Sequence, residues 1–360
     1  MLGILGTCHS TRLRGPAIGA RDPAYDATVT RYVVVGAGSV GGVIAGRLGQ
    51  YGVEVLVVAR GSNAHALRTT GLTIRDPDGT TTVETPVVTA ASDAHLTTDD
   101  VLVFVTKTHQ LAEALLQWVD QPVHDASGEV VGTAGELLPV LTALNGVEAE
   151  RLALRFFRQV YGVCVWLPAM RTEPGEFVLR IGPVSGVFIV GRYGQGGNGI
   201  LETVKADWEK ATFHVHVVDD VMAWKHRKLL SNLGNAVQAL LGADREDEMY
   251  EETRDEGLRV YEAAGITIPS SEEERAWRGD HFRDRPVAGV DRELGGSTWQ
   301  SLERGSGDIE TDYLNGEIVR IARSVGVEAP INEALQRLAR RAAAERRPPG
   351  SFTVDEIRAG

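Results

Sequence analysis

The stretch Arg31-Tyr-Val-Val-Val35 runs directly into Gly36-Ala37-Gly38-Ser39-Val40-Gly41, and small residues then continue to Tyr51. An apolar strand that ends on GxGxxG and opens a helix is the arrangement that holds a dinucleotide. Gly36 permits the tight turn, Gly38 lets backbone N–H groups approach a pyrophosphate, and Gly41 allows close helix–strand packing. The helix N-terminus adds unpaired donors and the positive end of its dipole. Residues Gly36 to Gly41 are therefore candidate cofactor contacts. A second strand, Val53 to Ala59, ends on Arg60. An acid at that position would bind the ribose hydroxyls of NAD, whereas an arginine suits the 2′-phosphate of NADP(H).

A second GxGxxG, Gly194-Gln-Gly196-Gly-Asn-Gly199, reads differently. Gly191-Arg-Tyr separates it from the preceding apolar run, and the following helix, Leu201 to Thr212, is charged and bulky. Asn-Gly is itself a turn signal. This copy is expected to be a surface loop.

At 360 residues the chain can bury a substantial core and is expected to divide into two domains. A net charge of −12 argues against nucleic acid or an anionic membrane as a main partner, while leaving room for an anionic substrate at a local basic site. Two cysteines, Cys8 and Cys164, offer no disulfide or metal framework, which fits the cytoplasm. No apolar run approaches the ~20 residues of a membrane span. Residues 1–28 lack an apolar signal core and read as a disordered leader; the chain from Arg346, with Pro348-Pro-Gly350, reads as a tail.

Between these ends, Val101-Leu-Val-Phe-Val105 and Leu138 to Leu144 are continuous apolar strands, as expected where helices cover both faces of a parallel sheet. Apparent helices alternate with them, and the pattern is helical from Val221 nearly to Glu345. The expected fold is α/β: a Rossmann-type doubly wound sheet over residues 29–220, then an all-helical domain over 221–345.

In the helix starting near Val221, Leu229, Leu233, Val237 and Leu240 share one side. At about 100° per residue, Lys228, Asn232 and Asn235 cluster within roughly 60° on another side. That side could be a plain solvated face. Asparagine, however, is a weak helix former, and lysine with asparagine on one face could hold a carboxylate or carbonyl. Read as a helix, the segment from Glu310 places that acid at the edge of an apolar stripe made by Leu314, Ile318, Ile321 and Val325. Such a carboxylate is either a rim group reaching water or one needing a counter-charge, for which Lys228 is the natural candidate.

Taken together, these segments resemble the ketopantoate reductase (2-dehydropantoate 2-reductase) family over about residues 31–340. The likeness rests on the glycine motif, Arg60, Val105-Thr-Lys107-Thr-His-Gln110, Asn145-Gly146 and Trp224-Lys-His-Arg-Lys228-Leu-Leu-Ser-Asn232. It continues with Glu310-Thr-Asp312-Tyr313-Leu-Asn315-Gly316, Gly326 and Pro330-Ile-Asn332. The resemblance implies Lys228 as catalytic lysine, Glu310 as its acidic partner and Asn232 as a substrate-binding residue. It also implies Lys107 and Asn145 as cofactor-side residues and Arg60 as the 2′-phosphate contact. Two departures stand out. The family's second substrate asparagine falls on Ala236, with Asn235 one residue earlier, and its Ser-Ser-Met segment reads Ser297-Thr298-Trp299. Asn235 and the Thr298 hydroxyl are the substrate-binding candidates these positions retain, while Trp299 could reshape the pocket.

The implied activity is NADPH-dependent reduction of a small 2-oxo acid, most simply 2-dehydropantoate in pantothenate biosynthesis, with a homodimer as the assembly to test. The alternatives are a paralogue that reduces another oxo acid and a non-enzymatic NADP(H) sensor. His214 and His216 lack a third ligand for a metal, and His226 reads as a packed histidine.

Overall fold

The computed structural model describes residues 30–359 apart from 198, 243–246, 280–282, 291–294 and 306; the expected leader, 1–28, lies outside the described residues. Among these residues eight strands form the main sheet. They are β1 (Arg31–Val35), β2 (Glu54–Val58), β5 (Val87–Val88), β7 (Asp100–Phe104), β10 (Pro139–Thr142), β11 (Gln159–Trp166), β14 (Gly186–Tyr193) and β15 (Phe213–Val217). Their order is β15-β14-β11-β10-β7-β1-β2-β5. The run from β11 to β5 is parallel, and its strands are buried on both faces. Strand β14 then turns antiparallel to β11, and β15 follows it in parallel, so the sheet is mixed at one end. Alternate residues feed two cores: Tyr32 and Val34 face one, Val33 and Val35 the other.

The antiparallel turn also settles the second glycine motif. Its loop follows β14, whose C-terminal end lies at the edge of the sheet opposite the ends of the parallel strands, where ligands bind. Gly194, Gln195 and Gly196 are exposed there, as expected of a surface loop. The helix beyond it is less polar in its packing than its charges suggest. Ile200, Leu201, Val204 and Trp208 form a buried stripe, and Trp208 packs edge-on against Phe188.

The helices of this half are α1 (Ser39–Gln50), α2 (Gly61–Thr69), α3 (Thr108–Trp118), α4 (Ala134–Leu137), α5 (Ala149–Ala153) and α6 (Gly199–Lys210). A second sheet, β12 (Ala169–Glu173), β13 (Glu176–Leu179), β3 (Leu72–Asp76) and β4 (Gly79–Val83), covers the outer side of α1. The small residues of α1 thus serve two contacts, since Gly42 lies against Phe177 and Gly46 against Leu72. Asp76 closes the β3–β4 hairpin by accepting from the backbone N–H of Asp78 and Gly79. A small third sheet comprises β6 (Leu96–Thr97), β8 (Pro122–His124) and β9 (Val130–Thr133).

The C-terminal part is helical: α7 (Val221–Asn232), α8 (Gly234–Leu241), α9 (Asp247–Ala264), α10 (Ser271–Arg278), α11 (Ser297–Glu303), α12 (Asn315–Val325), α13 (Pro330–Ala344) and α14 (Val354–Arg358). Two expectations are corrected here. The helix from Val221 is interrupted at Leu233, so Lys228 and Asn232 belong to α7 and Asn235 to α8. The segment from Arg346 is also no loose tail. The Gly350 and Phe352 N–H groups donate to the Ala239 and Leu240 carbonyls, and the Phe352 and Ile357 side chains are buried in the helical core. Arg358 pairs with Glu248 and Glu252 of α9. No described helix is long and apolar enough to cross a membrane.

Candidate active site

The parallel strands deliver their C-terminal ends to one edge, and the glycine loop opens there. Gly36 adopts φ +110°, and its N–H donates to the Val58 carbonyl, which fastens the turn to β2. A Cβ on Gly38, by contrast, would meet nothing within 4 Å. The loop therefore presents open backbone at the start of α1, the cradle a pyrophosphate needs and a side chain would fill. Asn63, which sequence reasoning missed, holds this loop. Its amide donates to the Ala37 carbonyl and accepts from the Gly175 N–H, tying α2 to both the loop and the β12–β13 turn.

Beside the loop is a cleft of about 540 Å³. Gly36 to Ser39, Arg60 and Lys107 all line it, whereas Val40 and Gly41 do not; Gly41 is packed into α1. Arg60 stands at the rim just before α2, exposed, with its guanidinium donating to Gln117 at 2.6 Å. Lys107 precedes α3 and reaches across to the helical domain, where it meets the Asp308 carboxylate at 3.0 Å, the Asp308 carbonyl and the Ser301 hydroxyl. It is therefore an interdomain tie as well as a cleft residue. His109 contacts the same carboxylate at 2.6 Å.

The remaining candidates lie outside the lining of that cleft, around the loop after β10. Lys228 of α7 donates to the Asn145 side-chain oxygen. Burial lowers the Lys228 amine from its usual range to about 8. Asn232 follows one helical turn later on the same face, and its amide nitrogen is buried without a hydrogen-bond partner among the described residues.

Glu310 departs from expectation in two ways. It precedes α12 rather than lying on it, because residues 311–313 form a short 3₁₀ turn and the helix begins only at Asn315. Its carboxylate accepts from the Thr108 N–H and hydroxyl, at 2.9 and 3.0 Å, and so caps the start of α3 instead of pairing with Lys228. The Thr108 hydroxyl also approaches the Asn145 carbonyl at 3.4 Å. Thr108, immediately after Lys107, thus joins Glu310 to the asparagine that holds Lys228.

The substrate-side candidates are divided. Asn235 and the Ser297 hydroxyl are 3.5 Å apart, and Gln238 accepts from the Gly296 N–H, so α8 positions the start of α11. Thr298, one residue on, is buried. Trp299, from the second departure, is partly buried and packs against the helical core.

Two buried groups beneath Lys228 escaped sequence reasoning because their partners are far apart in the chain. Lys225, one turn earlier on α7, is 3% exposed and pairs with the fully buried Glu150 of α5. It also donates to the Leu144 carbonyl at 3.1 Å, and Thr142 donates to Glu150 at 2.8 Å. Cys164 is likewise buried, its thiol pushed up to about 12 by desolvation, and is chemically inert at neutral pH. The histidines are packed: His216 stacks on Trp277, and burial holds His226 down to about 4. Among the described residues no group of three or more candidate ligands could hold a metal.

Two family models match the chain: "Ketopantoate reductase PanE/ApbA" over residues 32–194 and "Ketopantoate reductase PanE/ApbA C terminal" over 220–343. The 2-dehydropantoate 2-reductase of Halobacterium salinarum is 30% identical over 325 residues, covering 86% of this chain and 98% of its own. That of Pyrococcus horikoshii is 26% identical over 310 residues, covering 83% and 93%. Among solved structures, D-mandelate dehydrogenase in a ternary complex with NADH and anilino(oxo)acetate shares the fold, with a TM-score of 0.71, 19% identity and coverage of 88% and 99%. With a glycine cradle at the strand ends, a lysine held by Asn145 and both halves matched, this chain belongs to the ketopantoate reductase family of oxidoreductases.

Proposed function

We propose that the protein reduces a 2-oxo acid with NADPH, most simply 2-dehydropantoate to pantoate. The observation that carries this reading is the Lys228 ammonium held by Asn145 at the end of β10, within the edge onto which the glycine loop opens. The cofactor, when bound, supplies a hydride to C2 of the substrate. Negative charge then grows on the carbonyl oxygen, where a positioned ammonium is worth most. Lys228 polarises that oxygen and delivers its proton to it, completing the hydroxyl, and the neutral amine regains a proton from solvent. Asn145 fixes the direction of the N–H bonds. Glu310 acts one step removed, by holding Thr108 and the loop that carries Asn145. Asn232 offers a donor to the substrate.

A panel of 2-oxo acids assayed by NADPH oxidation tests the reading. Turnover fastest on 2-dehydropantoate supports it; no turnover on any member would favour the sensor. A second reading, an aromatic or bulkier oxo acid, is favoured by the D-mandelate dehydrogenase likeness and by Ala236 in place of an asparagine. Phenylglyoxylate in the same panel separates the two.

Two further results are expected. With Arg60 at the rim and no acid in its place, NADPH should bind at least about tenfold tighter than NADH, and Arg60→Ala should narrow that gap. Equal affinities in the unaltered protein, measured by calorimetry, would sink the NADPH preference. The pH profile follows from the Lys228 amine at about 8: the rate of reduction should be flat below that pH and fall about tenfold per unit above it. A profile flat to pH 10 would assign the proton to another group.

A further inference from the structure

Two arginines on opposite halves of the molecule border the same cleft with no assigned work. Arg171 lies on β12, where its N–H donates to the Ser39 hydroxyl at 3.1 Å, placing it over the first residue of α1. Arg304 ends α11 on the helical side. Both line the 540 Å³ cleft with Ser39 and Lys107, and both are exposed. Neither guanidinium has a hydrogen-bond or ion-pair partner among the described residues. Of the carboxylates near Arg304, Asp308 is engaged by Lys107 and His109, and Glu303 is its chain neighbour. Desolvation and the charge of Arg171 together hold Arg304 below its ordinary range, as expected of two cations that share one cleft.

Resting on the dinucleotide-binding reading, we propose that Arg171 and Arg304 are the two jaws of an anion clamp that grips the cofactor's diphosphate and draws the helical domain toward the sheet. The position suits this ligand. Arg171 is fixed beside the start of α1, where the open backbone at Gly38 also faces, and a guanidinium matches a phosphate with paired donors. In the free protein the two charges repel across the cleft; a diphosphate between them converts that repulsion into two attractions. Arg60, at the end of β2, is left to read the 2′-phosphate, so the two arginine sites respond to different parts of one molecule.

Calorimetric titration of the full chain and of Arg171→Gln, Arg304→Gln and the double variant distinguishes these roles. The probes are NADPH, NADH, ADP-ribose, which has the diphosphate alone, and 2′-AMP, which has the 2′-phosphate alone. Each single variant should weaken NADPH, NADH and ADP-ribose alike, by about tenfold, and leave 2′-AMP unchanged. The double variant should lose less than the product of the singles if the jaws grip as a unit. ADP-ribose should also shrink the radius of gyration in X-ray scattering for the unaltered protein but not for the double variant. Undiminished ADP-ribose binding in both single variants overturns the clamp while leaving dinucleotide binding intact. Losses confined to NADPH and 2′-AMP also overturn it, by assigning the arginines to the 2′-phosphate. If the unaltered protein binds none of the four probes, the underlying reading itself fails. Because both side chains are exposed, the thermal midpoints of the free variants should match the original, which separates lost binding from lost folding.

Discussion

Lys228→Met is expected to lower kcat on the best 2-oxo acid by about 10²-fold or more while changing NADPH affinity little. The lysine lies outside the lining of the cleft beside the glycine loop, so the loss should fall on turnover and not on cofactor binding. The same change should raise stability at neutral pH. In the unfolded chain the amine holds its proton up to about 10.5, but in the folded protein only up to about 8. Folding between those values releases a proton, so stability rises with pH across that window, and below it the charged, desolvated amine carries its full cost. Methionine removes the cost. An inactive variant with a higher thermal midpoint is therefore the signature of a functional lysine; normal turnover would end the reductase mechanism proposed here. Thr108→Val should produce a milder kcat loss, since it cuts the hydroxyl hydrogen bonds from Glu310 to the Asn145 loop and leaves the Glu310 charge near Lys228 in place.

The largest loss of stability is expected one turn earlier. Lys225→Met leaves the Glu150 carboxylate fully buried with Thr142 as its remaining donor, which should cost about 3–5 kcal/mol in urea unfolding. Replacing both, as Lys225→Met with Glu150→Leu, should recover most of that, because two apolar groups do not leave a stranded charge. Activity should not recover in parallel. Lys225 also holds the Leu144 carbonyl next to Asn145, so the double variant should fold with a weakened grip on Lys228. A single variant as stable as the original would mean that water or protonation relieves Glu150.

Sequence reasoning succeeded where one local physical demand has few solutions. A tight turn with open backbone between a buried strand and a close-packed helix requires glycine at Gly36 and Gly38, and the valines of β1 allow no exposed face. It failed where the answer depends on partners distant in the chain. The Lys225–Glu150 pair spans 75 positions, and helical spacing alone cannot show that α7 needs a buried counter-charge. Glu310 was misplaced because helical periodicity was extended backward past the true start of α12, where the apolar stripe still reads smoothly. The antiparallel β14 is as apolar as its parallel neighbours, so its direction leaves no trace in composition. Trp299 could reshape a pocket by its size, yet its ring packs against the helical core, a contact that no local sequence pattern reveals.

The docked segment after α13 bears on how the helical domain stays together. Phe352 and Ile357 are inserted among the helices, and Arg358 closes two ion pairs onto α9, all within the last residues described. Cutting the chain between Pro349 and Phe352 should therefore loosen α8 and α9 together, since it removes the backbone bonds to Ala239 and Leu240 and the pairs onto α9.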